Sequence, residues 1–287
     1  MAAAAASSPP RRLALVTGAT AGGIGATTAT RLAAAGLDVL LAGRNVAGLE
    51  ATAAAMPAGS VAGILTADLS TVAGVEELAR GVRAVVDARG GGGLHTLVNN
   101  AGVFLKRRTE TADGLETTFA VNVMAPFFLT SLLLPCLEEA AVVTAAAADA
   151  TADATWTRAG VVAWEDLQST RSYSAYSSYG QSKLLLLMVA REMAARFAAS
   201  APAPRSRVGV VALDPGTVNT AMLLAGWGPC GIDVSEAGDS AWVATAPNVE
   251  SGGGAPVSRD PAARARLWRL LAEVVASRGG GEVFPGV

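Results

Sequence analysis

Aromatic residues make up only 5% of this 287-residue chain and charged residues only 16%, where an average soluble protein carries roughly a quarter of its residues charged. Histidine occurs once, as His95, and cysteine twice, as Cys136 and Cys230. A single histidine excludes a multi-histidine metal centre, and a Ser-His-Asp device would have to be built around that one residue. A lone histidine opening an apolar run is more often structural. The cysteines stand far apart, with no CxxC and no neighbouring histidine. That pattern disfavours a zinc site or a disulfide scaffold and suits a reducing compartment, the cytoplasm first. An organellar (plastid) location stays open, because the first ten residues, MAAAAASSPP, are rich in Ala and Ser.

Charge of one sign is also missing. Twenty-two Lys and Arg stand against 24 Asp and Glu, for a net charge of −2. No basic stripe points to nucleic acid, and no polybasic cluster points to a membrane surface. What the chain has in excess is alanine, which lifts the hydrophobic fraction to 51% and the mean hydropathy to +0.40. The run from Thr117 to Leu137 is uncharged, near the roughly 20 residues that cross a bilayer. It contains Asn122, Pro126 and Pro135 and closes on Glu138 and Glu139, so it reads as a buried helix and no transmembrane span is expected.

From Leu13 onward, short apolar runs alternate with longer helix-like segments, the pattern of βαβ units around a parallel sheet. Strands are expected at Leu13 to Thr17, Asp38 to Ala42, Val61 to Thr66, His95 to Val98, Ala140 to Ala145 and Arg207 to Leu213. Helices are expected at Ile24 to Ala35, Val75 to Ala88, Leu115 to Cys136, Ala175 to Ala199 and Pro261 to Ser277. The organisation is a flexible tail over residues 1–12 and a single α/β, doubly wound Rossmann domain over 13–287, with helices on both faces of a mainly parallel sheet.

Three motifs carry chemistry. The first strand runs into Gly18-Ala19-Thr20-Ala21-Gly22-Gly23-Ile24-Gly25 and then a helix. Glycines at that turn let the backbone approach a pyrophosphate, and the helix start favours its negative charge. The second strand ends at Arg44-Asn45, where an acidic residue would accept the ribose hydroxyl of NAD and a guanidinium would pair with the 2′-phosphate of NADP. NADP(H) is therefore favoured over NAD(H), although a solvated arginine at a helix start leaves the same sequence trace. The third motif is Tyr179-Gly180-Gln181-Ser182-Lys183. Positions i and i+4 share a helix face, so the ammonium meets the phenol and favours its charged form. Tyr173 and Tyr176 have Ser177 and Gly180 four residues on and gain no cation.

Together with Asn99-Asn100-Ala101-Gly102, these motifs resemble the short-chain dehydrogenase/reductase family over nearly the whole chain. The family's TGxxxGxG resembles Thr17 to Gly25, its NNAG matches residues 99–102, and its YxxxK matches Tyr179 and Lys183. The segments YGQSKL, WEDLQS and DPAARARLW look most like the retinol-dehydrogenase-like and plant chloroplast-envelope branch. The resemblance implies Tyr179 as acid/base, Lys183 as its electrostatic partner and ribose contact, and Asn122 as the holder of a relay water. It implies cofactor contacts from Gly18, Gly23, Ile24, Gly25, Arg44, Asp68, Asn99, Ala101 and Gly102, and from Pro215, Gly216, Val218 and Thr220 in the turn that follows Asp214. It further implies a small-molecule carbonyl or alcohol substrate, small or lipophilic, and a possible homodimer.

The sequence departs from that pattern twice. Four residues, Ala19 to Gly22, separate Gly18 from Gly23-Ile24-Gly25 where the family has three. The family's catalytic serine is also replaced: the equivalent run reads Val142-Val143-Thr144-Ala145-Ala146-Ala147-Ala148, which places Ala147, or else Ala146, where a hydroxyl polarises the substrate oxygen. Thr144 and Thr151 are the nearest substitutes. Three readings follow: an oxidoreductase, a cofactor-binding homologue with little catalysis, and a chain that binds neither. Trp227 and Trp242 fall in the segment that covers the substrate in the family, as pocket lining or as packing.

Overall fold

The computed structural model describes residues 11–140, 144–146, 162–204, 208–213, 215–237 and 256–287. Six strands, β1 (Leu13–Thr17), β2 (Asp38–Gly43), β3 (Val61–Thr66), β4 (Thr96–Val98), β5 (Thr144–Ala146) and β6 (Val210–Ala212), form one sheet in the order β3-β2-β1-β4-β5-β6, parallel throughout. β1 is buried along its whole length, which is why its sequence reads as an unbroken apolar run and not as an alternation. The strand order reverses between β1 and β4, and in an open parallel sheet the crevice beyond the carboxyl ends at that reversal is the ligand site.

The helices are α1 (Ile24–Ala34), α2 (Val46–Ala55), α3 (Val72–Ala88), α4 (Thr117–Ala140), α5 (Ala175–Ala199), α6 (Ala221–Trp227) and α7 (Pro261–Ala276). Caps set several of the starts. The Thr71 side chain accepts from Gly74 N–H, so α3 opens three residues before the expected Val75. The Glu116 carboxylate accepts from the N–H groups of Thr118 and Phe119, which moves the start of α4 from the expected Leu115 to Thr117. α4 runs on through Ala140, the first residue of the expected strand, while Thr144 and Ala145 at its far end lie in β5; residues 141–143 lie outside the described residues. Of the expected strand from Arg207 to Leu213, Val210–Ala212 is strand, and Arg207 lies outside the described residues. α2 and α6 were not anticipated, since an alanine-rich apolar segment such as VAGLEATAAA shows no stripe.

α4 is long and apolar enough to cross a membrane, with a mean hydropathy of 1.8 in its most apolar window, yet 89% of that window is buried inside the fold. Phe127, Phe128, Leu133 and Leu137 are all fully buried. Its second turn, Ala120–Met124, is π-helical and carries Asn122. α7 closes the same face of the sheet: Leu267, Leu271 and Val275 are fully buried, and the Arg196 guanidinium of α5 lies 4.6 Å from the centre of the Trp268 ring.

Candidate functional site

A cavity of about 420 Å³ lies at the strand-order reversal, along the carboxyl ends of β1, β2, β3 and β4 and under the segment that follows β6. Its floor is the turn between β1 and α1. Gly18 and Ala19 both donate to the Ala42 carbonyl, at 2.8 and 3.3 Å, and Ala21 donates to the Gly48 carbonyl at 3.1 Å. The additional residue is taken up by a tight turn in which Gly23 N–H donates to Thr20 O at 3.2 Å. Ala21 and Gly22 sit exposed at its tip, and Gly22 has a φ of +79°, the left-handed conformation such a turn needs at its third position. The extra length bulges outward and leaves the helix start in place. α1 opens on Gly23 with no side-chain cap, so its first-turn N–H groups are offered to an anion and not to a neighbouring side chain.

Close approach explains Gly25. A Cβ there would lie 2.4 Å from Gly18 O and 2.5 Å from Asn100 Nδ2, so only glycine lets α1 begin against this loop. Asn100 is the brace. Its amide nitrogen donates to the carbonyls of Thr17 and Gly18, and its backbone N–H and that of Ala101 donate to the Thr17 hydroxyl. The NNAG segment thereby locks β4 to β1 and holds Ala101, Gly102 and Val103 along the wall.

At one end of the cavity stand Arg44 and Asp68. Arg44 is exposed and has no hydrogen-bond or ionic partner among the described residues, while Asp68 accepts from the N–H of Ser70 at 3.0 Å. At the other end stand Tyr179 and Lys183 on α5, with Pro215 and Thr220 on the covering segment. Both α5 side chains are nearly buried, and the Lys183 ammonium lies 5.1 Å from the centroid of the Tyr179 ring. The i, i+4 spacing places them on one face. Tyr173 and Tyr176 are differently employed: their hydroxyls donate to the carbonyls of Leu105 and Gly226 at 2.6 and 2.8 Å. Burial pushes the Tyr173 phenol above its usual range, with the Glu116 carboxylate adding to the shift.

Asn122 stands behind this pair. Its Oδ1 accepts from Val103 N–H at 2.8 Å, and its Nδ2 donates to Val103 O and to the Ser182 hydroxyl, each at 3.0 Å. Ser182 in turn donates to the Tyr179 carbonyl at 2.7 Å. A Cβ built on Gly102 would be 3.5 Å from Asn122 Oδ1 and 3.7 Å from Lys183 Nζ, so amide, ammonium and loop meet at one glycine. The π turn widens the helix at this point and brings the amide to the loop.

Of the residues singled out from sequence, Gly18, Gly23, Ile24, Arg44, Asp68, Ala101, Gly102, Tyr179, Lys183, Pro215 and Thr220 line the cavity. Gly25 supports it by close approach. Asn99 lies outside the lining: it is buried, and its amide donates to the Thr130 hydroxyl at 3.1 Å, tying β4 to α4. Gly216 and Val218 are also outside the lining; Val218 is buried in a bridge to Ile232. Ala147, Thr151, Asp214 and Trp242 lie outside the described residues. Ala146 ends β5, opposite Ala212 of β6. Asn100, Thr20, Asn45, Leu69, Val103, Val121 and Met222 line the cavity without having been anticipated. Asn100 was legible in the NNAG match. Thr20 and Asn45 stand inside the quoted motifs and Val103 follows the NNAG match, whereas Leu69, Val121 and Met222 reach the site only through the folding of the sheet. The donor set fits a dinucleotide: an uncapped, glycine-lined helix start in the middle, an exposed guanidinium at one end, and a paired phenol and ammonium at the other.

The family profile described as short chain dehydrogenase matches residues 12–225. Among curated proteins, the chain is 38% identical to the polyprenol dehydrogenase of Mus musculus over 222 residues, 76% of this chain and 63% of that protein. It is 33% identical to the retinol dehydrogenase 12 of Homo sapiens over 217 residues, 75% of this chain and 64% of that protein. The chain thus spans somewhat less than two thirds of the length of these relatives. Among solved structures, an uncharacterised protein from Mycobacterium paratuberculosis superposes with a TM-score of 0.73 at 26% identity, covering 96% of both chains.

Proposed function

The chain belongs to the short chain dehydrogenase family, and on that premise we propose that it is an NADP(H)-dependent oxidoreductase interconverting a carbonyl and an alcohol on a small or lipophilic substrate. The observation that carries the reading is the Lys183 ammonium held beside the Tyr179 ring at one end of a cavity whose opposite end presents Arg44. A nicotinamide cofactor, when bound, supplies or accepts the hydride. The protein's own part is proton transfer and positioning. Tyr179 gives its phenolic proton to the substrate oxygen in reduction and takes it back in oxidation. Lys183 favours the anionic form of that phenol. Asn122 fixes the Gly102–Val103 loop against the ammonium and, as the family resemblance implies, would hold the water of a proton relay to Lys183. The first turn of α1 takes the pyrophosphate, and Arg44 takes the 2′-phosphate that separates NADPH from NADH. The relatives' names extend the substrate class toward lipophilic alcohols and aldehydes.

The test is hydride transfer by purified protein, followed by NADPH absorbance, across aldehydes, ketones, retinoids and polyprenals. No turnover of any of them sinks the proposal. A second reading is favoured by the alanine run that follows Thr144: a protein that binds the cofactor with little chemistry. Saturable NADPH binding without turnover selects it.

A further inference from the structure

Tyr179 and Lys183 are each preceded on α5 by a serine, Ser178 and Ser182. Four residues apart, the serines share a face of the helix that lies one residue, about 100°, round from the phenol and the ammonium. Both are buried, and both meet a buried polar side chain from α4 or its cap. The Ser178 hydroxyl donates to Glu116 Oε2 at 3.3 Å, and the Ser182 hydroxyl accepts from Asn122 Nδ2 at 3.0 Å.

A buried serine inside a helix ordinarily turns back to a carbonyl of the preceding turn, and Ser182 does so by donating to Tyr179 O at 2.7 Å. What sets this pair apart is that each hydroxyl meets a side chain from another element. The Glu116 carboxylate also caps α4 by accepting from the N–H groups of Thr118 and Phe119. The Asn122 amide also holds both backbone groups of Val103. One cross-link thus joins α5 to the start of α4, and the other joins it to the loop that carries Gly102. The Tyr179 ring itself meets an aromatic wall, with Phe104 and Trp227 at centroid distances of 5.7 and 5.9 Å and Tyr176 packed on both. The wall bears on the ring, whereas the cross-links bear on the backbone that carries it.

We propose that Ser178 and Ser182 are positioning residues: with Glu116 and Asn122 they form two cross-links between α4 and α5 that hold Tyr179 and Lys183 in place against the Gly102–Val103 loop. Apolar packing is non-directional and admits small slides and rotations of one helix on another, whereas a buried hydrogen bond fixes both. Either serine can be removed without stranding a buried charge. The Glu116 carboxylate keeps its two N–H donors, and the Asn122 amide keeps Val103. That Tyr179 transfers a proton rests on the function proposed above; the cross-links do not.

The test begins with Ser182→Ala and its conservative counterpart Ser182→Thr, which keeps the hydroxyl. Reduction of all-trans-retinal by NADPH gives kcat, and calorimetry gives NADPH affinity. The phenolate absorbance of each protein, minus that of the same protein carrying Tyr179→Phe, gives the pH at which this one phenol ionises. Ser182→Ala is expected to lower kcat about tenfold and to weaken NADPH by less than about threefold. The ionisation of Tyr179 moves to higher pH, because the ammonium is no longer held beside the ring. Ser182→Thr recovers most of the lost kcat. The second cross-link is tested by a cycle of variants, read in kcat and in the same titration. Glu116→Asp still caps α4 but is one methylene too short to reach Ser178, so Glu116→Asp, Ser178→Ala and the double variant lose the same amount. Additive losses overturn that cross-link. Wild-type kcat and wild-type phenol ionisation in Ser182→Ala, or a fall in kcat matched by an equal loss of NADPH affinity, overturns the proposal. If wild type reduces no aldehyde, the reaction reading fails separately and the titration alone decides. Ionisation raised in Ser182→Ala then supports the cross-links, and unchanged ionisation overturns them.

Discussion

Lys183 Nζ lies 5.1 Å from the centroid of the Tyr179 ring, one helical turn further along α5, and each residue is only 6% exposed. A cation held over a buried phenol is a poor arrangement for stability alone, because both groups give up water to reach it. On the proposed function its return is chemical. Tyr179→Phe keeps the ring contacts and removes the proton. It is expected to lower kcat by about 10²- to 10⁴-fold while NADPH still binds, a pairing that steady-state kinetics and calorimetry read together.

On the proposed function, Arg44 is the residue that separates the two nicotinamide cofactors. With no partner among the described residues, its guanidinium is available for a 2′-phosphate. Arg44→Ala is expected to weaken NADPH binding about tenfold and to leave NADH affinity unchanged. Equal losses for both cofactors would remove the arginine from the recognition.

Gly25→Ala tests the cofactor loop without altering a charge. The new methyl would overlap Gly18 O and Asn100 Nδ2, both within 2.5 Å, and forcing backbone apart in a packed region costs about 1–3 kcal/mol. NADPH affinity is expected to fall more than tenfold, together with a lower melting temperature.

Ala147 lies outside the described residues, one position beyond the end of β5. Removing a single donor to a developing oxyanion costs about 10²- to 10³-fold in rate, so Ala147→Ser is expected to raise kcat by at least about tenfold with NADPH affinity constant. Ala146→Ser is the register control. No gain from either argues that the substrate oxygen is polarised by another group.

His95 supplies the pH dependence. Its Nδ1 accepts from Leu13 N–H at 3.3 Å, which requires the neutral ring. Burial holds its pKa below the usual 6.5, with Arg12 and Arg89 adding to the shift. The unfolded chain therefore takes up a proton before the folded one as the pH drops. Stability is unaffected well above pH 6.5 and declines as the pH falls from there toward the lowered folded value. Thermal melts over this range should show the decline, and His95→Gln should flatten it relative to wild type.

Much of this was legible because local rules acted alone. α5 spans the segment expected from sequence, Ala175–Ala199, and the choice of Tyr179 over Tyr173 and Tyr176 needed only the i, i+4 spacing to Lys183. Where two neighbours share a residue type, spacing cannot choose between them. Asn99 and Asn100 differ only in the direction their backbone faces, and the fold turns Asn99 to Thr130 and Asn100 to the cofactor loop. The aromatic wall was out of reach for a different reason: Phe104, Tyr176 and Trp227 come from three segments that meet only after the sheet is complete. The place of the extra residue in the β1–α1 loop was open in sequence, and the Thr20–Gly23 turn takes it up at an exposed tip with Gly22 in the left-handed conformation.

The π turn at Ala120–Met124 sets the phase of the longest apolar helix. One surplus residue rotates everything before it by about 100° relative to everything after it. Glu116, Thr118 and Phe119 thus answer to one set of neighbours, and Phe127, Phe128 and Leu133 to another, although the sequence between them is continuous. Deleting one residue there would yield a more regular helix and a worse protein, since the Asn122 amide would swing off Val103. From Thr118 to Ser131 every position is buried, so both phases of the helix meet protein and no outer face interrupts the uncharged run.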